Sequence, residues 1–140
     1  MTVALGVSSP DDQRVYVSGG DNGGGATILK SSDAGVTWGA LTHDLQMMYL
    51  DVDVAPKSDH GIAGSLGFYG QVASASYTED GNEFYASPHI PLFSASQSVT
   101  AVDSQTSYYV GSWLDGIREE YIDGIISSFD AGKTVEFIPW

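Results

Sequence analysis

The chain has 140 residues, with 18 Asp and Glu against 5 Lys and Arg, and its net charge is −13. So few cations displace little of the counterion atmosphere of DNA or RNA, which argues against a nucleic-acid partner. No run of about 18 apolar residues predicts a membrane span, and the absence of Cys excludes disulfides and thiolate metal sites. The N-terminus carries no basic segment before Asp11 and Asp12, so no signal peptide is predicted, and the sequence indicates no compartment.

The first third of the chain predicts four short strands, a to d. Hydrophobic residues alternate with period two, β-branched and aromatic residues are enriched, and Gly, Pro, Asp and Ser stand at the breaks. These strands are predicted at 2–8, 14–18, 26–30 and 38–41. The rest of the chain repeats this order, with strands at 50–54, 61–65, 71–77, 83–86, 98–103, 107–111, 124–128 and 135–138. Convincing helical periodicity is absent, so we predict an all-β chain with units at approximately 1–46, 47–94 and 95–140.

One turn motif recurs between strands c and d of each unit. The first copy reads S-x-D-x-G-x-T-W and consists of Ser31, Asp33, Gly35, Thr37 and Trp38. The third copy lacks only the Trp and consists of Ser128, Asp130, Gly132 and Thr134. The second copy is one residue shorter and consists of Thr78, Asp80, Gly81 and Phe84. The aspartates are 47 and 50 residues apart, a period typical of propeller blades.

The motif and its spacing resemble the Asp-box, or BNR, repeat of sialidase-like and sortilin-like β-propellers. The resemblance implies a partial β-propeller of three four-stranded antiparallel blades, with Asp-box turns between the third and fourth strands. The family contains enzymes and non-enzymes, so the motif implies a fold and not a function. We interpret the recurring Asp as structural, because its carboxylate can accept hydrogen bonds from backbone N–H groups of its own turn. A catalytic residue need not recur in every blade.

Propellers close with four to eight blades, whereas this sequence supplies three. Two blade faces are therefore predicted to be uncovered, and exposed apolar faces mark interaction surfaces. Two kinds of partner would cover them. One is further propeller blades in the same chain, of which this sequence would be a fragment. The other is a second copy of the chain that completes a ring.

In propellers of this family, ligands bind at the end of the blades opposite the Asp-box turns. At this end we predict a long loop at 112–124, whose aromatic and acidic residues suit a carbohydrate or protein ligand. The candidate ligand-binding residues are Trp113, Asp115, Arg118, Glu119, Glu120 and Tyr121, with Tyr69 and His89 from other loops. The alternative is that Trp113 and Tyr121 pack this loop onto its own blade while its acids stay in solvent.

Two further sets of residues are of types found in acidic channels or metal sites. Asp51 and Asp53 are two residues apart on a predicted strand, so we predict that they line an acidic central channel. The three histidines, His43, His60 and His89, are far apart and lack the spacing of metal ligands, so no metal site is predicted.

The arginine content decides between the functions that the resemblance implies. Sialidases hold the carboxylate of their substrate with an arginine cluster, and this sequence contains only Arg14 and Arg118. We therefore predict a non-catalytic module that presents its loops to a protein or carbohydrate ligand, without catalytic residues or a cofactor. The alternative is part of a glycoside hydrolase, sialidase-like or xyloglucanase-like, whose catalytic site this chain does not complete. Whether the protein is an enzyme stays open, with the balance against it.

Overall fold

The computed structural model describes residues 3–20, 25–41, 47–67, 75–86, 93–115 and 120–140. These residues form twelve β-strands and no α-helix. The described part of the chain therefore contains no helix with the length and apolar character to cross a membrane. The prediction of an all-β chain is confirmed.

The strands follow one another in three groups of four. The first group, blade 1, consists of β1 (Val3–Ser8), β2 (Val15–Gly20), β3 (Ala26–Ser31) and β4 (Gly39–Ala40). Blade 2 consists of β5 (Met47–Val54), β6 (Gly61–Gly67), β7 (Ser76–Thr78) and β8 (Tyr85–Ala86). Blade 3 consists of β9 (Phe93–Ala101), β10 (Ser107–Asp115), β11 (Glu120–Ser128) and β12 (Glu136–Pro139).

Within each blade, every strand pairs antiparallel with the next strand in the chain. One further backbone pair, Leu66 with Ala95, joins β6 to β9, so the strands of blades 2 and 3 form a continuous eight-stranded sheet. The innermost strands β1, β5 and β9 lie side by side, since side chains on β5 bond to both neighbours. The molecule is a partial β-propeller of three four-stranded antiparallel blades, as predicted.

Several strands extend further than predicted. Strand β5 begins at Met47 and β9 at Phe93, each before the predicted start. The prediction of a loop at 112–124 is wrong. Strands β10 and β11 pair along most of this segment, from Ser112 opposite Asp123 to Asp115 opposite Glu120. The apolar and aromatic residues that suggested a binding loop also have high strand propensity. Of the acids, Glu120 and Asp123 in β11 are exposed, as strand residues that face solvent are.

The apolar cores lie between the blades. One core joins blades 1 and 2 and contains Tyr16, Ala26, Ile28, Tyr49, Val52, Val54 and Ala63. The second joins blades 2 and 3 and contains Ala55, Ile62, Ala75, Val99, Ala101, Tyr109 and Ile126. Each large apolar side chain buried there contributes roughly 1.5–3 kcal/mol to the stability of the folded state. Packing between blades therefore holds the propeller together, in addition to the hydrogen bonds within each sheet.

Candidate binding face

The two ends of the blades carry different connections. The turns at 31–38, 78–84 and 128–135, which we call the aspartate turns, join the third and fourth strands at one end, the turn end. The opposite end, the loop end, carries the connections from the second to the third strand and from one blade to the next. This separation follows from antiparallel pairing, because successive connections alternate between the ends of a sheet.

The first aspartate turn is closed by Asp33. Its Oδ1 accepts hydrogen bonds from Ser31 Oγ and Thr37 N, each at 2.8 Å, and its Oδ2 accepts one from Thr37 Oγ1 at 2.5 Å. These bonds, above all the two from Thr37, lower the pKa of Asp33 to about 2. Ala34 and Gly35 have φ values of 57° and 89°, and the left-handed backbone reverses the chain.

The other two aspartates occupy similar surroundings. Asp130 accepts hydrogen bonds from Ser128 Oγ at 2.9 Å and from Thr134 N at 2.8 Å. In the shorter second turn, Asp80 accepts bonds from the backbone N–H groups of Asn82 and Glu83 at 2.8 and 3.1 Å. The pKa of Asp130 is lowered chiefly by the Thr134 hydroxyl, and that of Asp80 chiefly by the Asn82 N–H. All three carboxylates are thus ionised acceptors within their own turns at neutral pH.

Blade 1 also holds the turn of blade 2. The carbonyl oxygen of Gly81 accepts hydrogen bonds from Tyr16 Oη at 3.2 Å and from Lys30 Nζ at 2.9 Å. Burial is the main cause that lowers the pKa of Lys30. A Cβ atom on Gly81 would lie 2.6 Å from the Tyr16 hydroxyl, and its φ is 67°. Glycine is required here by both the backbone and the neighbouring blade.

Positive charge is concentrated at the turn end. The cations of the described residues all lie there: Arg14, Lys30, Lys57 and Lys133. The Arg14 guanidinium binds Asp11 at 2.6 Å and also pairs with Asp59. Lys133 pairs with Glu79 of the preceding blade. Arg14 and Lys133 are therefore engaged by neighbouring acids, and Lys30 by the Gly81 carbonyl.

A cavity of about 290 Å³ lies at the turn end, between blades 2 and 3. It is lined by Ser58, His60, Glu79, Ser104, Gln105, Ala131 and Lys133. His60 Nδ1 lies 3.1 Å from the Thr78 carbonyl oxygen, and Nε2 has no hydrogen-bond partner among the described residues. Burial lowers the pKa of His60, so the ring is neutral at pH 7. No three His, Asp or Glu side chains in the described ranges are grouped to hold a metal ion.

The loop end of blade 3 has a different character. Tyr121 and Trp140 are 66% and 70% exposed. Trp140 N donates to the Asp123 carbonyl oxygen at 3.4 Å, so the Trp follows β12 beside the start of β11. The Glu120 side chain is exposed there, and the Asp123 carboxylate accepts a hydrogen bond from Ser112 Oγ at 2.7 Å. Tyr121, Asp123 and Trp140 thus lie at the loop end of blade 3, with Glu120 next to Tyr121 in the chain on the other face of β11. We call these four residues the aromatic corner.

The structure places part of the predicted ligand-binding set at this corner. Glu120 and Tyr121 begin β11. The backbones of Trp113 and Asp115 lie in β10, where they pair with Ile122 and Glu120. Four predicted residues lie outside the described residues, namely Tyr69, His89, Arg118 and Glu119. Sequence reasoning missed Trp140, whose signal was an aromatic residue directly following the apolar alternation of the last predicted strand.

Asp51 and Asp53 do not form a free acidic pair. Asp51 Oδ2 accepts a hydrogen bond from Val99 N at 3.0 Å, and Asp53 Oδ2 accepts one from Ala101 N at 2.9 Å. Asp53 Oδ1 also accepts a bond from Ser8 Oγ at 2.7 Å. The interpretation as a channel lining is therefore incomplete, because the two carboxylates join the innermost strands of three blades.

No family model and no curated protein matches the sequence. The solved structures that resemble the chain include YCF48 bound to D1 peptide, with a TM-score of 0.68 and 18% identity over 96% of this chain and 39% of that chain. They also include a chain of the nidogen/laminin complex, with a TM-score of 0.67 and 12% identity over 98% of this chain and 48% of that chain. The chain spans less than half the length of both. At these identities the likeness establishes the propeller fold alone.

Proposed function

We propose that this chain is a non-catalytic Asp-box β-propeller module that binds a protein ligand at its loop end. The observation that carries the proposal is the aromatic corner, where Tyr121 and Trp140 are exposed and the side chains of Glu120 and Asp123 also face solvent. Aromatic residues are enriched at protein interfaces because a ring contributes a large contact area at a small entropic cost. The carboxylates favour a ligand that carries Lys or Arg.

The distribution of charge supports a cationic ligand. The described cations lie at the turn end, and three of them, Arg14, Lys30 and Lys133, are bonded to other residues of the chain. The whole chain has a net charge of −13, which attracts cationic segments over a Debye length of about 10 Å at 0.1 M salt. We propose a ligand segment with one or two apolar side chains flanked by basic residues.

The fold neighbours agree with this class of function. One was solved with a bound peptide and the other in a complex of two proteins. The hydrogen bonds of Asp33, Asp80 and Asp130 support the identification of their turns as Asp-boxes. On this proposal the chain is a fragment of a larger propeller, whose remaining blades cover its open faces.

Binding of a designed peptide tests the proposal. A peptide with Leu and Trp between Lys residues is titrated against the chain by fluorescence anisotropy, beside a peptide in which Glu replaces every Lys. We expect Tyr121→Ala and Trp140→Ala each to weaken binding of the basic peptide at least about tenfold, the loss of an interface hot spot. Phe129→Ala is the matched control, because Phe129 is equally exposed but lies at the turn end.

Three results would each contradict part of the proposed function. Equal affinity of Tyr121→Ala, Trp140→Ala and the unmutated chain would place the ligand elsewhere. Equal binding of the acidic and basic peptides would remove the electrostatic argument. Absence of peptide binding, together with binding to a glycan array that Tyr121→Ala abolishes, would replace the protein ligand with a carbohydrate.

The alternative function, part of a glycoside hydrolase, rests on the pairing of Asp115 with Glu120 across β10 and β11. Retaining glycosidases use two carboxyl groups about 5–5.5 Å apart. Hydrolysis of an aryl glycoside by the unmutated chain, lost in both Asp115→Asn and Glu120→Gln, would support this alternative. Absence of hydrolysis would leave the binding function.

A further inference from the structure

The cavity at the turn end lies at the second of the two junctions between blades, where blade 2 meets blade 3. Blade 2 contributes His60 and Glu79 to its lining, and blade 3 contributes Gln105 and Lys133. Its volume of about 290 Å³ is that of roughly ten water molecules. The cavity therefore has room for a small ligand or for one long side chain of a partner.

His60 occupies the position in blade 2 that Arg14 occupies in blade 1. Arg14 directly precedes the residue that pairs with Ser31, the first residue of the aspartate turn in its blade. His60 directly precedes the residue that pairs with Thr78, the first residue of the turn in blade 2. Both side chains face the following blade, since Arg14 pairs with Asp59 of blade 2 and His60 lines the cavity against blade 3.

Gln105 of blade 3 corresponds in the same way to Asp59, the partner of Arg14. Each lies two residues before the residue that pairs with the first residue of the turn. At the first junction, the guanidinium of Arg14 therefore extends to a carboxylate of the next blade. At the second junction, the shorter imidazole of His60 and the amide of Gln105 line a cavity. The cavity thus occurs at the position of the repeat where the first junction holds a guanidinium.

The two side chains present hydrogen-bond acceptors. His60 Nδ1 lies 3.1 Å from the Thr78 carbonyl oxygen, so this nitrogen carries the proton and Nε2 of the neutral ring is an acceptor. Nε2 is buried and has no partner among the described residues, which is costly for a polar atom. The amide nitrogen of Gln105 donates to the Ser104 carbonyl oxygen at 2.8 Å, so Oε1 is the atom that can bind a ligand. A ligand that satisfies both atoms must donate hydrogen bonds.

Neighbouring acids favour a positively charged ligand. Asp103 accepts hydrogen bonds from the backbone N–H groups of Gln105 and Thr106, each at 2.8 Å, and its charge and that of Glu79 favour positive charge at His60. Glu79 pairs with Lys133, but the two side chains are 50% and 54% exposed. Exposed ion pairs contribute little stability, so Glu79 can exchange Lys133 for another cation.

We propose that this cavity binds a guanidinium group, at the position of the repeat that the Arg14 side chain occupies at the first junction. The N–H groups of the ligand donate to His60 Nε2 and Gln105 Oε1, and its charge pairs with Glu79. A guanidinium has five donors in a planar fork and no acceptor, which suits a cavity with several acceptors. The site is at the end of the blades opposite the aromatic corner, so it does not depend on the proposed function.

A matched pair of compounds tests the proposal. N-acetyl-arginine amide and its neutral isostere N-acetyl-citrulline amide are each titrated to about 10 mM against the chain labelled with nitrogen-15, and NMR follows the ring nitrogens of His60. We expect the arginine compound to shift the Nε2 signal with a dissociation constant below about 1 mM. The citrulline compound is expected to bind at least about tenfold more weakly, because it lacks the charge that strengthens these hydrogen bonds.

Single substitutions test the role of charge. Glu79→Gln removes the carboxylate and is expected to weaken binding of the arginine compound at least about fivefold. Lys133→Gln removes the cation that competes for Glu79 and is expected to strengthen binding about threefold. Lys57→Gln is the matched control, because Lys57 is an exposed cation of the turn end that does not line the cavity. A weakening by Lys133→Gln would contradict a cationic ligand.

A double variant transfers the first junction to the second. His60→Arg with Gln105→Asp places in blades 2 and 3 the pair that Arg14 and Asp59 form between blades 1 and 2. The new side chain occupies the cavity, so we expect a folded chain, verified by circular dichroism, with affinity for the arginine compound reduced at least about tenfold. Gln105→Glu alone adds a carboxylate without filling the cavity and is expected to strengthen binding.

Two further probes distinguish the sources of the guanidinium. Methylguanidine represents a small free compound, and the capped peptide Gly-Ser-Arg-Ser-Gly represents an arginine of a protein ligand. Equal affinity for both indicates a small compound, whereas peptide affinity at least about tenfold higher indicates a protein.

Three results would overturn the proposal. Equal binding of the arginine and citrulline compounds would show that the cavity does not recognise the cation. Absence of any shift at His60 with a folded chain at about 10 mM ligand would leave water as the occupant. Binding that the folded double variant retains would place the guanidinium elsewhere on the protein.

Discussion

Blade 2 packs against blade 1 through one of its two faces, which we call the leading face. The leading faces of blades 1 and 2 have the same position in the repeat but opposite surroundings. Val52 in β5 is 1% exposed, whereas Val7 in β1 is 69% exposed. Both residues are β-branched and lie on the innermost strand, on equivalent faces of their blades. Val52 is buried because blade 1 packs against it, and no described blade packs against Val7. Burial in this fold therefore depends on the neighbouring blade and not on the strand itself.

The aspartate turns show the same difference. Gly81 of blade 2 is buried beneath Tyr16 and Lys30 of blade 1. Around Gly35 of blade 1, the nearest side chain is that of Trp38, whose ring atom would lie 3.7 Å from an added Cβ. The first turn is one residue longer than the second, and the neighbouring blade contacts the glycine of the second turn only.

The largest effect on the free energy of unfolding is expected from substitutions of these two valines. Val52→Asp buries an unpaired carboxylate and is expected to reduce the free energy of unfolding by about 3–5 kcal/mol, which leaves a chain of this size unfolded or nearly so. Val7→Asp is expected to change it by less than about 0.5 kcal/mol. Urea unfolding followed by tryptophan fluorescence measures both. Equal destabilisation would show that the leading face of blade 1 is covered in solution.

Substitutions of the turn glycines test whether blade 1 contacts the turn of blade 2. Gly35→Ala introduces a Cβ at positive φ and is expected to cost about 1–3 kcal/mol. Gly81→Ala also introduces a Cβ at positive φ, and it places this Cβ 2.6 Å from the Tyr16 hydroxyl, which adds about 1–3 kcal/mol. Chemical denaturation of the two variants measures the difference. A Gly81→Ala cost equal to that of Gly35→Ala would contradict the contact from blade 1.

The smallest expected effect concerns pH and the junction between blades 2 and 3. Burial holds the pKa of His60 below its usual 6.5, although Asp103 and Glu79 favour the charged ring. Below about pH 6.5 the unfolded chain binds the proton and the folded chain does not, so the free energy of unfolding falls as the pH decreases. Urea unfolding between pH 7.5 and 5.5 measures this slope. His60→Gln is expected to flatten it, and an unchanged slope would assign the effect to other groups.

Local features of the chain were predictable from the sequence. The aspartate turns contain their own hydrogen-bond donors and acceptors within a few residues, as in Ser31, Asp33 and Thr37. The alternation of apolar residues predicted strands in all three blades. These features depend on residues that are close in the sequence, so the sequence alone is sufficient to predict them.

The strand ends and the candidate site were harder to predict. Residues 112–115 and 120–124 have the aromatic and acidic composition of a binding loop, but they pair as strands because each supplies the other with backbone partners. Trp140 joins the aromatic corner only because β12 ends beside Asp123. Both pairings depend on residues distant in the chain, so the extent of the hairpin and the place of Trp140 were missed, although Glu120 and Tyr121 were predicted.

By itself, the sequence determined the strands, the aspartate turns and the repetition of a four-stranded unit, because alternation and turn chemistry act over a few residues. Only the tertiary structure decided which apolar residues are buried and which carboxylates form hydrogen bonds with a neighbouring strand. Asp51 and Asp53, read as an acidic pair, bind the backbone of β9, and Val7 and Val52 differ in burial although their local patterns agree. The physical reason is that a propeller blade is stabilised through its two faces, and each face is completed by residues distant in the chain.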